Sequence, residues 1–292
     1  MKPFETPSVV PAPAPPGRGP RRRAVNPSLL AGGVLVGAIV VVALLSYAWT
    51  PHDAFRIDSA RRLLDPTGTY WLGTDKFGRD IASRLMIGAR TTLFVGVVAV
   101  GTAALVGTPL GVVAGMARGW RSGLLLRASD LALAFPALLL AIMFGAVFGA
   151  STLTAMVAIG LASVPAFVRI VRAGTLRVMA TEYVLAARAA GRRRFGIGLR
   201  HVLPNVMGLV IVQASVSFAI AVLAEAGLSF LGFGTAPPTP SWGRMLQESQ
   251  ELLFIHPLLA VWPGLAIVAA VLGFNLLGDG LRDRFDPRME ER

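Results

Sequence analysis

Long uncharged stretches alternate along the chain with short charged ones. Residues 24–52, 91–117, 131–168, 201–224 and 252–278 contain no Asp, Glu, Lys or Arg. Each is long enough for a membrane-spanning helix, which needs about 20 apolar residues. The third is too long for one. As a single helix its 38 residues would rise roughly 57 Å, against a hydrocarbon core of about 30 Å. The pattern therefore predicts two helices there, turning near Gly149-Ala150-Ser151. A further uncharged stretch, 226–243, carries Pro237, Pro238 and Pro240 and reads as a helix end followed by a rigid loop. The count is six spans in an all-α polytopic membrane protein.

Composition supports that class. Of 292 residues, 54% are hydrophobic and 15% charged, where a soluble domain carries roughly 25% charged residues. The net charge is +12, which on a soluble chain would point to nucleic acid. Here its distribution points to membrane topology, and no nucleic-acid partner is expected. With six helices, the amino end, 118–130, 169–200 and the carboxyl tail share one side. That side holds 20 of the 28 basic and 8 of the 16 acidic residues; the other holds 8 of each. The positive-inside rule makes the basic side cytoplasmic, with both termini there. Five helices would put the arginines of 169–200 outside.

The first 27 residues, with Pro11, Pro13, Pro15, Pro16 and Arg21-Arg22-Arg23, form a polar Pro-rich tail expected to be disordered. The apolar segment after it exceeds a signal-peptide core of 7–15 residues, so it reads as an uncleaved anchor. The chain has no Cys, excluding disulfides, thiol nucleophiles and cysteine metal sites. His52, His201 and His256 are scattered, and neither Lys2 nor Lys76 lies in a phosphate-binding GxxxxGK[ST] loop. No catalytic, metal or cofactor site is expected.

The segment 169–204 carries the most information. Helix formers run from Thr181 to Ala190, and Gly191 stops or bends that helix. Ala186, Ala187 and Ala190 make a small-residue face open to close approach by another surface. Arg192-Arg193-Arg194 and Phe195 follow, and Pro204 suits the first turn of a new helix, placing the fifth span's start near Asn205. On composition alone, this loop is either a partner contact or a basic interfacial helix held by anionic membrane lipid.

Residue order decides between them. Ala186-Ala187-x-x-x-Gly191, followed by His201-x-Leu203-Pro204, resembles the EAA loop of ABC importer membrane subunits. Leu72-Gly73-Thr74-Asp75 with Gly78-Arg79-Asp80 resembles the LGTDxxGRD element of the dipeptide/oligopeptide/nickel branch. Asp130 to Pro136, Ser241-Trp242-Gly243, and Phe274 to Asp283 with Asp286-Pro287 resemble that branch's third-helix start, post-span loop and carboxyl end. One departure is plain: Leu185 stands where the general motif has glutamate, and Glu182 is the loop's acid.

The resemblance implies a type I ABC importer permease of the bacterial cytoplasmic (inner) membrane. Such a subunit forms half of a path for peptides or a related small solute. It pairs with a second homologous permease, as a heterodimer, with two cytoplasmic ATPases and with an extracytoplasmic solute-binding protein. By the same resemblance, Glu182, Ala186, Ala187, Gly191 and the turn Arg192, Arg193, Arg194 and Phe195 form the ATPase-coupling contact. The chain divides into a tail (1–27), a first helix with an extracytoplasmic segment (28–87), a five-helix transmembrane domain (88–280) holding the coupling loop 169–204, and a cytoplasmic tail (281–292).

Other residues carry weaker signals. Thr74-Asp75 is expected to cap a helix over 76–90, with Asp75 and Arg79 paired at i, i+4, as a fold element or a docking surface for the binding protein. Gly107, Gly111 and Gly115, and Gly145 with Gly149, form small faces for packing within the chain or against the partner permease. Pro109, Pro136, Pro165 and Pro263 interrupt apolar stretches. Asp130 and Asp279, at span ends, are expected to cap helices or to pair with Arg127 or Arg282. Glu225, the acid nearest a membrane interior, is a pathway candidate. The alternative function, a self-contained secondary transporter or channel, would need a charged or broken helix at the midplane, and no span carries a central charge.

Overall fold

The computed structural model describes residues 26–117, 119–149 and 151–285; the Pro-rich tail and Asp286-Pro287 lie outside them. Ten α-helices occur among the described residues, with no β-strand: α1 (Pro27–Ala48), α2 (Ile81–Met116), α3 (Trp120–Leu133), α4 (Ala137–Phe148), α5 (Thr152–Met179), α6 (Glu182–Ala189), α7 (Arg194–Ile197), α8 (Leu203–Phe230), α9 (Trp242–Ser249) and α10 (Leu258–Phe285). Five helical runs are long and apolar enough to cross a membrane: α1, α2, α5, α10 and the continuous run Arg194–Phe230. The pair α3–α4, bent by 84°, gives a sixth when it is counted as one broken span and has the form of a re-entrant loop otherwise. α4 alone has 12 residues and rises only about 18 Å.

As expected, helix stops before Gly149 and resumes after Ser151. Gly149 adopts φ +90, and Ser151 caps α5 by accepting a bond from the Thr154 amide. Gly149 is thus a turn residue, not part of a packing stripe. Two further features of this region are only partly foreshadowed in the sequence, and one expectation is corrected. The segment 118–130 is not a plain loop, since α3 occupies most of it. The bend falls at Ala134–Pro136, where proline lacks an amide proton and disfavours helical geometry in the residue before it. Asp130 pairs with Arg169 of α5, not Arg127.

Glycines set the helix spacing. α2 and α5 form the most extensive pair in the molecule. A Cβ at Gly107 would lie 2.5 Å from the Phe167 Cβ, and one at Gly111 would lie 2.7 Å from that of Val171. One at Gly115 would lie 2.5 Å from the Thr175 Cβ. The stripe therefore serves packing within the chain. α1 lies equally close to α10: a Cβ on Gly32 would fall 2.3 Å from the Leu277 nitrogen. At the end of that seam, the Asn26 side-chain amide donates to Asp283 at 2.7 Å. The start of α1 and the end of α10 therefore lie on the same side of the bundle.

On the opposite side, residues 49–80 fold over the bundle. Asp75 does not cap a helix over 76–90. Its carboxylate accepts from the Phe77 and Arg79 amides and from the Arg79 and Arg84 guanidinium groups. Asp80 is the actual cap, accepting from the Ser83 amide at 2.9 Å, and α2 starts at Ile81. Glu248 of α9 completes the cluster with Arg79 at 2.7 Å and Arg84 at 2.8 Å. Thr74, Asp75 and Asp80 are all buried, so this motif works as a fold element.

Burial alone would raise the Glu248 pKa, but the charges of Arg84 and Arg79 and the bond from Arg244 outweigh it and hold it below the ordinary glutamate value. A depressed folded-state pKa contributes stability that is full above the unfolded value and is lost as pH falls through the folded one. Glu248→Gln is expected to remove this acid-side dependence and leave Arg84 under-compensated, at about 3 kcal/mol for breaking one partner of a buried pair. Thermal unfolding of the detergent-solubilised variant across acidic pH checks it. An unchanged profile would refute the assignment.

Candidate functional site

α5 continues past the uncharged stretch, through Arg169, Arg172 and Arg177, to Met179. Thr181 then turns the chain, its hydroxyl donating to the Val178 carbonyl at 2.6 Å. α6 follows with Glu182 at its first position, where a carboxylate complements the positive end of the helix dipole. Val184 points inward. It is fully buried, in a cluster with Phe167 and Val171 of α5, Ile197, Val202, and Val206 of α8. The outer face presents Glu182, Leu185, Ala186, Ala189 and Ala190, all exposed, with Ala187 half-buried at its edge.

Gly191 ends α6 as expected. It adopts φ +77, a conformation L side chains rarely take. The Arg192 amide donates to the Ala187 carbonyl and that of Gly191 to the Arg188 carbonyl, closing the helix end. Arg192, Arg193, Arg194 and Phe195 are exposed. Tyr183 packs against His201 with ring centroids 5.9 Å apart, and the Arg192 guanidinium approaches the His201 Nε2 at 3.4 Å.

Pro204 lies in the first turn of α8, as expected, but no break separates that helix from what precedes it. α7 runs through a π-helical turn, Gly198–Val202, directly into α8. A π turn satisfies backbone groups in an altered register, which lets the chain pass the missing Pro204 amide without a break. Sequence reasoning found the exposed residues of this loop and missed Val184, its anchor. Its signal was weak, because Val184 lies between Tyr183 and Leu185, two large residues that the fold leaves exposed.

Glu225 lies elsewhere. It is 4% exposed, and its Oε1 accepts from the hydroxyls of Ser229 (2.5 Å) and Thr235 (3.1 Å). The Ser229 hydroxyl also accepts from the Thr235 amide at 2.9 Å. The carboxylate thereby fastens the loop after α8 to the helix end. In this conformation the loop covers it. Next to it, Ser241 caps α9 and the Trp242 indole donates to the Leu85 carbonyl at 3.0 Å. A Cβ on Gly243 would lie 2.3 Å from the Ala226 carbonyl oxygen, so the Ser-Trp-Gly element docks α9 on α8.

Residues 107–291 match the family model described as binding-protein-dependent transport system inner membrane component. The chain belongs to that family. This permease is 39% identical over 265 residues to a dipeptide transport system permease protein of Alkalihalophilus pseudofirmus, covering 91% of this chain and 87% of the relative. It is 39% identical to a glutathione transport system permease protein of Pectobacterium atrosepticum, over 89% and 87% of the two chains. A glutathione permease protein of Escherichia coli is 40% identical over 89% and 86%. The permease is a transport subunit of the bacterial inner membrane and not an enzyme; in this family the ATPase is a separate subunit. The self-contained carrier or channel is thereby set aside.

Proposed function

We propose that this permease forms half of an ATP-driven import path for short peptides, in a heterodimer with a second permease. A binding protein delivers the solute from outside, and two ATPases drive the cycle from the cytoplasm. The relatives' dipeptide and glutathione names favour a small peptide, and glutathione is itself a tripeptide. Nickel or longer oligopeptides are the remaining members of the solute class suggested by the motifs. The observation that carries the coupling assignment is α6, which turns a small-residue face to solvent and is held from behind by Val184. Glu182, Ala186, Ala187, Gly191 and the turn Arg192, Arg193, Arg194 and Phe195 form its ATPase contact. Small residues let a helix seat deeply in a cleft, and Val184 ties that helix to α5 and α8, so closure of the ATPases moves the spans as bodies.

This reading requires α6 and both termini in the cytoplasm, as the charge distribution indicates. The cysteine-free chain permits a direct test. A single cysteine replacing Ala190 is expected to react with a membrane-impermeant maleimide only in inverted vesicles. One replacing Phe254, 98% exposed at the other end, should react in intact spheroplasts. Labelling of position 190 from outside would overturn the topology and the ATPase contact together.

A further inference from the structure

An apolar groove of about 770 Å³ opens beside the basic turn, away from the outer face of α6. Its walls are the end of α2 (Pro109 to Ala117), Trp120 and Leu125 of α3, and Phe195, Leu199 and Leu203 of the run leading into α8. Among the described residues lining it, Arg194 carries the charge and none is acidic. Along α2 the groove runs from residue 109 to 117, a rise of about 12 Å. That is close to the half-thickness of a hydrocarbon core of about 30 Å. Phe195 stands 82% exposed and Trp120 73% exposed at the charged end of two spans, where aromatic rings favour the membrane–water boundary.

We infer that this groove binds one anionic glycerophospholipid of the cytoplasmic leaflet, an acyl chain lying along Val112, Val113 and Met116 and the phosphate meeting Arg194. The groove's depth matches one leaflet, its lining suits an acyl chain, and the positive charge of Arg194 is complementary to an anionic headgroup. A water-filled solute path would place polar groups along such a wall, and the described lining is mostly apolar. The inference rests on the cytoplasmic placement proposed above and narrows the coupling contact. Arg194 and Phe195 face lipid, leaving α6, Gly191, Arg192 and Arg193 to the ATPase. A bound lipid then bridges the end of α2, α3 and the run leading into α8.

The test uses the assembled transporter, both permeases and both ATPases, in nanodiscs doped with phosphatidylglycerol or phosphatidylcholine bearing a photoactivatable acyl chain. Cross-linked peptides are mapped by mass spectrometry. Phosphatidylglycerol is expected to label 109–117 and 195–203 about fivefold more than phosphatidylcholine, the factor given by roughly 1 kcal/mol per basic residue at an anionic surface. Arg194→Gln should abolish the preference, while Arg200→Gln, an exposed neighbour outside the groove lining, should keep it. Val113→Trp, at a half-exposed position, should fill the groove and suppress labelling by both lipids. Equal labelling by the two lipids overturns the inference, as does loss of preference in Arg200→Gln to the same degree. Absence of any lipid adduct on these peptides also overturns it. The cysteine at position 190, read on the same preparations, reports sidedness separately, so a wrong topology and an empty groove give different results.

Discussion

Gly111→Leu should yield almost no correctly folded protein, while Gly101→Leu, ten residues earlier on the same helix, should be tolerated. The contrast follows from what each position faces. A Cβ at Gly111 would sit 2.7 Å from the Val171 Cβ and 2.9 Å from the Val168 carbonyl oxygen; at Gly101 it meets nothing within 4 Å. The obstruction at Gly111 includes backbone, which a rotamer change cannot clear. Overpacking typically costs about 1–3 kcal/mol for added methylenes, and a leucine against a rigid helix exceeds that range. The α2–α5 seam would then have to part along its length, because Gly107 and Gly115 lie on the same stripe. Gly101→Ala should be neutral or slightly stabilising, since alanine is favoured over glycine in helices by about 1 kcal/mol. Size-exclusion of fluorescent fusions and thermal unfolding distinguish these outcomes. Equal yields for the two leucine variants would mean that the seam is looser than the structure has it.

The second large effect is on transport alone. Ala186→Phe and Gly191→Val should both insert normally and both lose uptake. Ala186 is exposed, so a phenylalanine there has nothing of its own chain to strike, and any loss reports an external surface. A side chain on Gly191 likewise has free space, with nothing within 4 Å. There the penalty is conformational, because a β-branched residue at φ +77 is disfavoured by more than the roughly 1–2 kcal/mol typical of the left-handed region. The turn would rearrange and α6 would lose its presentation. Uptake normalised to inserted protein, with co-purification of the ATPase, is the measurement. Full uptake by both variants would remove the coupling assignment.

Much of this architecture is visible in the residue order, and the failures share one cause. Counting uncharged stretches placed the turn at 149–151 and the helix ending at Gly191. It began the second span at Thr91, whereas α2 starts at Ile81 and carries Arg84 and Arg90 inside it. Those charges are met by groups remote in sequence: Arg84 by Asp75 and Glu248, and Arg90 by the Ser46 hydroxyl and the Tyr47 ring. No local window reveals such partners. The same blindness hid Val184, whose burial depends on α5 and α8 closing over it, and the hydroxyls of Ser229 and Thr235 that hold Glu225. Pro136 was recognised as an interruption, but α3 was not, because its mixed pattern of Arg, Ser and Leu suits a loop as well as a helix.

α5 is a single helix, with Pro165 inside it, from the turn at Ser151 to the two residues before α6. Its 28 residues span about 42 Å, some 12 Å more than the hydrocarbon core. α6 is therefore carried at one end of a long lever. A pivot of about ten degrees around the outer end would sweep α6 sideways by roughly 7 Å, more than one helical turn of 5.4 Å. The arm also works in reverse. A shift of a few ångströms imposed at α6 becomes a small rotation at the outer end, so force is gained where distance is lost.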